Sequence, residues 1–324
     1  RPVAPEPTAT DGFHFPVDAA VTFETTALEI PNHRSVVVRT QDGDISVDAT
    51  AFDDRSLPVD DYLLELQSTP MKIYVAVRAE LELNHDERSV TIRFDGPRRP
   101  RVGTRSFHDR PTGTITVTDD VGDAMAAVSL LGSALKTTSC ERSFPTLRGH
   151  PPLLERGESF DAPDGVERPD TGIELVLPRE REYVYPAYYL GAAVVPGDDP
   201  RLVADGFERS LDGPDGYAST VNRTLRQAFF LDCLTRTEGC YDVDLYEREQ
   251  VEPLVDLSFP DLYGRPLAAQ LDAYFSVPFE TLEPYVPDWH LTTDVVPTAE
   301  NLPPLPYVVD ELSLLRTPRT TDAA

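Results

Sequence analysis

The 324-residue sequence predicts a two-domain protein of the α+β class. A β-rich, antiparallel, sandwich-like domain with one covering helix is followed by a smaller mixed α/β domain. Three observations carry this reading. Up to Thr118 apolar and polar residues alternate with a period of two, as in strands with one buried face. From Val121 the apolar spacing switches to that of helices. Between the halves, the segment 140–170 holds Pro145, Pro151, Pro152, Pro163 and Pro169 and reads as an extended linker. The boundaries that follow are a flexible arm over 1–15, a β-rich domain over 16–139, a Pro-rich linker over 140–171, an α/β domain over 172–316 and a tail over 317–324. The length agrees with two domains of about 150 residues.

Each element has its own signal. Residues 21–24 (VTFE) and 27–30 (ALEI) are short strands. Residues 35–40 (SVVVRT) and 45–49 (ISVDA) flank Asp42-Gly43, and Asp-Gly between β-branched runs marks a hairpin. Residues 71–83 (MKIYVAVRAELEL) alternate and pair with 89–94 (SVTIRF) in a second hairpin. Residues 113–118 (GTITVT) form one more strand. In 121–135 an apolar stripe runs through Ala124, Val128, Leu131 and Leu135, so this helix is expected to cover a sheet face and close the first domain. The second half opens with a strand at 172–177 and a short helix at 186–190, which has Pro at its first turn and Gly191 as its stop. Strands are expected at 192–195 and 202–204, and again at 291–296 and 312–315. Residues 217–237 give the strongest helix. Val221, Leu225, Ala228, Phe229 and Cys233 share one face of it, and Phe230, Leu231 and Leu234 widen that face. Two further helices, at 266–275 and 278–285, are each opened by Pro.

There are 29 Lys+Arg against 56 Asp+Glu, a net charge of −27, and the only lysines are Lys72 and Lys136. Arginine is more weakly hydrated than lysine and forks onto carboxylates. Abundant carboxylates dispersed along the chain, with almost no lysine, read as adaptation to molar salt, where the Debye length of about 3 Å screens self-repulsion. Such a charge argues against a whole-surface nucleic-acid binder. No run approaches the roughly 20 apolar residues that span a bilayer, so no membrane partner is expected. Cys140, Cys233 and Cys240 are too few, and odd in number, for a disulfide framework; they read as reduced thiols in the cytoplasm. The polar, Pro-rich residues 1–12 and 316–324 look like linkers, as in a segment cut from a longer polypeptide.

The chain has no phosphate-binding glycine loop, no G-x-S-x-G elbow and no H-E-x-x-H helix, and its six histidines are dispersed. No cofactor or metal is therefore expected. Four weaker features remain. Arg93, Arg98, Arg99, Arg101, Arg105 and Arg110 form the one strongly basic stretch, which fits a phosphate, a nucleic-acid backbone or an acidic partner, or else plain pairing with carboxylates. Asp232 lies in the apolar run FFLDCL, with Arg236 one turn on as a partner, and serves either as a structural ion pair or as an acid of raised pKa. Tyr183, Tyr185, Tyr188 and Tyr189 suit either a ligand pocket or core packing. The pairs Asp42/Asp44, Asp212/Asp215 and Asp242/Asp244 match no calcium loop and read as halophilic surface.

Residues 185–203 (YPAYYLGAAVVPGDDPRLV), 229–239 (FFLDCLTRTEG) and, further on, 259–306 resemble a haloarchaeal protein family whose longer members continue into a CHAT-type, caspase-like domain. That domain carries a His in a Gly-His motif and a Cys in an Asn-Ala-Cys motif. Here His150 follows Gly149 but sits in the Pro-rich segment, and no cysteine follows Asn-Ala, so no catalytic residue transfers. The resemblance implies a region N-terminal to the effector domain. The function expected is a non-catalytic recognition or regulatory module with a protein partner or attached domain. One alternative is a hydrolase or transferase with its site at the strand ends of the second domain, using Asp232 or a histidine. The other is a surface or structural protein, for which the sequon at Asn222-Arg223-Thr224 is the only sign.

Overall fold

The computed structural model describes residues 4–31, 35–40, 43–49, 54–85, 88–107, 109–184, 188–240 and 243–317. It divides into two compact units, Arg1–Phe107 and His108–Ala324. A large antiparallel sheet in the first and a mixed α/β region in the second make the fold α+β, as the periodicities predict.

The first unit holds nine strands: β1 (Glu6–Thr8), β2 (Ala19–Thr22), β3 (Thr25–Pro31), β4 (Val36–Thr40), β5 (Ile45–Ala49), β6 (Arg55–Leu66), β7 (Lys72–His85), β8 (Ser89–Arg98) and β9 (Arg101–Arg105). They join in one sheet ordered β1-β2-β9-β7-β6-β4-β5, with β8 and β3 branching from β7. Both expected hairpins form. β4 pairs β5 across Gly43, which takes φ 95°, and β7 pairs β8 with Leu81 opposite Phe94. The branch arises because β7 is long: its first residues pair β9 and its last pair β8.

The central strand β6 has no alternation to reveal it. Tyr62, Leu63, Leu64, Glu65 and Leu66 are all buried, and the register shifts between Leu57 and Asp60. Its core neighbours are Val36, Val38, Val75, Leu81 and Ile92. Described residues of the expected arm are ordered instead. β1 pairs β2, and Phe15 is buried, stacked on Tyr74 at 5.1 Å.

The second unit holds β10 (Thr114–Val117), α1 (Val121–Leu130), β11 (Leu153–Arg156), β12 (Ile173–Leu177), β13 (Ala193–Pro196), β14 (Arg201–Ala204) and β15 (Phe207–Ser210). Then come α2 (Tyr217–Thr235), α3 (Tyr246–Val251), α4 (Phe259–Tyr263), α5 (Leu267–Ser276), α6 (Phe279–Leu282), β16 (Thr292–Asp294), α7 (Leu305–Asp310) and β17 (Leu314–Arg316). The strands form a four-stranded sheet, β13-β12-β14-β15, and the parallel pairs β10-β11 and β16-β17.

Two expectations are corrected here. The helix at 121–130 belongs to the second unit. Its buried Ala124 and Val128, with Leu131 just beyond, join the core that includes Ile115, Leu175 and Val194, and Ser129 Oγ accepts from Val194 N at 2.8 Å. The segment read as a linker is also inside that unit. Cys140, Arg142 and Leu147 are buried, because two 3-10 turns, Cys140–Ser143 and Pro145–Leu147, lie against α2 and one another. Proline spacing gave the lack of regular structure but said nothing of burial. The short helix expected at 186–190 is a 3-10 turn at Tyr188–Leu190, with 185–187 outside the described residues. Gly191 takes φ 59° there, and a Cβ on it would meet Pro169 Cγ at 2.9 Å, so both conformation and space call for glycine. Among the described residues no helix is long and apolar enough to cross a membrane.

Candidate functional site

The basic stretch is occupied by intramolecular work. Arg98 pairs with Asp95 at 2.5 Å and Arg99 with Glu6 at 2.7 Å. Arg101 donates to Ala9 O at 3.1 Å and lies 4.8 Å from the centre of the Phe13 ring. Arg105 is fully buried and donates to Pro16 O at 3.1 Å. Arg99, Arg101 and Arg105 thus fasten the N-terminal segment to the sheet. Arg93 is exposed on β8 opposite Ala27 and Glu82, and Arg110 falls in the other unit. The run is contiguous in sequence, and within the first unit Arg99 and Arg101 border one pocket with Gly12 and Asp61.

Asp232 is fully buried on α2; the Arg236 charge acts on it, but its direct ion pair is with another arginine. Arg142, from the 3-10 turn at 140–143, places Nη2 2.6 Å from Asp232 Oδ2, and both side chains are wholly inaccessible. Tyr189 donates its hydroxyl to the same oxygen at 2.6 Å. Arg142 also donates to Thr138 O and Ser139 O, at 2.9 and 3.1 Å, and lies 5.1 Å from the Tyr189 ring centre. Tyr274 donates to Thr235 Oγ1 at 2.7 Å. Burial is the largest influence on Asp232 and raises its carboxyl to about 6, against the opposing pull of Arg142, Tyr189 and Tyr274. On Arg142 burial acts downward, but Asp232 and its neighbours outweigh it and hold the guanidinium charged. Arg236 instead donates to Ser143 Oγ at 2.8 Å and lies 5.3 Å from the Phe144 ring centre. An i+4 spacing could not reveal this, because the partner lies 90 positions upstream in sequence.

The tyrosine patch divides. Tyr188 and Tyr189 are buried, and burial pushes both phenols up. Tyr183 packs on Tyr217 at 5.0 Å, and Tyr185 lies outside the described residues. A second buried carboxylate, Glu141, accepts from Tyr263 at 2.9 Å and from Cys240 N at 3.2 Å. A Cβ on Gly239 would collide with the Glu141 carboxylate and the Tyr263 phenol, so that glycine permits the approach.

Beside this network α2 opens onto a cavity of about 470 Å³. Phe229, Phe230, Cys233 and Leu234 form one wall, with Val286 and Trp289 contributed by the loop after α6. Phe229 is the junction. It meets Trp289 edge-on at 5.3 Å and Tyr189 at 5.4 Å, and Arg148 lies over it at 5.6 Å. Trp289 is the only tryptophan in the chain, and its indole donates to Leu312 O at 2.6 Å. Arg226 and Arg236 border the cavity, as do Glu247, Asp288, His290 and Glu311. The α2 stripe at 226, 229, 230 and 233 is readable as one helix face, yet as sequence it looks like core.

The volume and the apolar lining are those of a small-molecule site. Cys233 is a poor nucleophile there, because burial raises its thiol pKa while Arg236 only partly opposes it. Brief iodoacetamide treatment at pH 7 should leave Cys140 and Cys233 unmodified in the folded chain and label both after urea unfolding. Fast, selective labelling of folded Cys233 would indicate a nucleophile. Among the described residues no group of three His, Cys, Asp or Glu is placed to hold a metal ion. No protein family, curated protein or solved structure matches this chain.

Proposed function

We propose that the chain is a recognition and regulatory module whose second unit holds a small apolar ligand beside α2. The observation that carries this is the cavity at Phe229, Phe230 and Trp289, large enough for a small molecule and lined mainly by apolar side chains. Its wall is continuous with the buried charge network through Phe229 and Tyr189, so ligand contacts would bear on the packing of Arg142 against Asp232. The composition supports a halophilic protein, and three free cysteines support a reducing cytoplasm. The resemblance to the haloarchaeal family supports an attached caspase-like effector as the regulated partner. A hydrolytic or transfer reaction through Asp232 has less behind it, since that carboxylate is fully buried, and through a histidine it would fall to His290 at the cavity border.

The test is titration with the neutral dye N-phenyl-1-naphthylamine in molar KCl. Saturable dye fluorescence, with energy transfer from Trp289, is expected. Cys233→Phe, which pushes a ring into the cavity from the α2 wall, should weaken it. No saturable signal from the folded wild-type chain would overturn the reading.

A further inference from the structure

An arginine that borders the cavity and makes no ion pair among the described residues is placed to meet a ligand. Arg226 is such a residue. It is partly buried, its Nε has no hydrogen-bond partner, and no carboxylate of the described residues lies within ion-pair distance. Its guanidinium is 5.7 Å from the Phe279 ring centre, and its side chain borders the cavity. Two more arginines crowd this end of α2. Arg223 lies over the same ring at 5.8 Å and is neutralised by Asp215 at 3.0 Å. Arg209 lies 4.6 Å from the Phe275 ring centre, and its Nε also lacks a partner. Burial, and then the Arg223 charge, lower the Arg209 pKa.

Arg226 is followed at i+3, i+4 and i+7 by Phe229, Phe230 and Cys233, so one helix face carries a cation and then an apolar wall. Three acids also border the cavity, of which Glu247 is half-buried. Glu247, Asp288 and Glu311 make no ion pair with Arg226, and Asp288 and Glu311 are exposed. Exposed charges not in contact are screened over about 3 Å in molar salt, whereas a direct contact to a partly buried guanidinium is screened much less.

We propose that the cavity takes a single-chain amphiphilic carboxylate, its carboxylate on Arg226 and its chain against Phe229, Phe230 and Trp289. This rests on the cavity reading above. A fork of N–H donors matches a carboxylate, and such charge-assisted bonds are about twice as strong as neutral ones.

The experiment compares decanoate with 1-decanol as displacers of the neutral dye from the full chain, in molar KCl. Decanoate is expected to bind roughly tenfold more tightly than decanol. Arg226→Met should remove that preference, decanoate then displacing the dye no better than decanol, and Arg226→Lys should restore part of it. Because Arg226 has no ion pair, the variant should fold as the parent does, and dye binding itself reports that the cavity is intact. Equal affinity for the two displacers, or a preference that survives Arg226→Met, overturns the carboxylate assignment and leaves the apolar site standing. Failure of the dye to bind wild type overturns the site itself.

Discussion

Arg142→Met is expected to cost the fold about 3–5 kcal/mol at pH 7, because it removes one partner of a buried ion pair and leaves a carboxylate sealed in the core. The cost should shrink toward pH 5. With Arg142 present, burial already raises the Asp232 carboxyl to about 6; removing the cation that pulls it down sends it higher still. A carboxyl whose folded pKa exceeds its unfolded value stabilises the fold fully below the unfolded pKa, near 4. That contribution is lost as pH rises through the folded pKa. In Arg142→Met the loss therefore extends across neutral pH, and the stability difference from wild type grows from pH 5 to pH 8.

Asp232→Asn should behave differently. It leaves the fully buried Arg142 guanidinium without a counter-charge, at a cost of about 3–5 kcal/mol that does not ease toward pH 5. The amide carbonyl oxygen keeps an acceptor for the Tyr189 hydroxyl, and Arg142 retains Thr138 O, Ser139 O and the Tyr189 ring. The asymmetry follows from the chemistry of the two groups: a buried carboxyl can take up a proton, whereas a guanidinium cannot shed one. Urea unfolding at pH 5, 7 and 8 in molar KCl checks both variants. An Arg142→Met cost that does not change with pH, or an Asp232→Asn cost that shrinks toward pH 5 as that of Arg142→Met does, would show that the pair does not act through its charges.

Local signals were legible and long-range ones were not. The hairpin around Gly43, the pairing of β7 with β8 and the full extent of α2 follow from periodicity and turn residues, which act over a few positions. β6 stayed hidden because a strand buried on both faces loses the alternation that betrays an edge or surface strand. At the site, the sequence marked Asp232 as anomalous through its apolar neighbours but could not find Arg142, which reaches it from an irregular segment. Trp289 and Arg226 carried no signal of their own. Their meaning comes from a cavity assembled by α2 and the loop after α6, and from an Arg226 that makes no ion pair among the described residues.

Leu131→Ala tests the placement of α1. The residue is fully inaccessible and belongs to the core of the second unit, whereas the core of the first is built from separate residues on β3, β4 and β6–β8. Truncating a buried leucine removes its transfer free energy and leaves a cavity, at a cost of about 2–5 kcal/mol. The sequence pattern alone would assign that cost to the β-rich domain, because the apolar stripe follows directly on strand-like sequence. The fold assigns it to residues 108–324. Trp289, the only tryptophan, lies in that second unit and reports its unfolding specifically. The expected outcome is a Trp289 fluorescence transition displaced to lower urea. The far-ultraviolet transition of a separately expressed 1–107 segment supplies the reference for the strands of the first unit, and in the full-length variant that transition should stay where the reference puts it. A displaced strand transition with unmoved Trp289 fluorescence would return α1 to the first domain. The physical ground for expecting otherwise is the bond from Val194 N to Ser129 Oγ, which ties the same helix to β13.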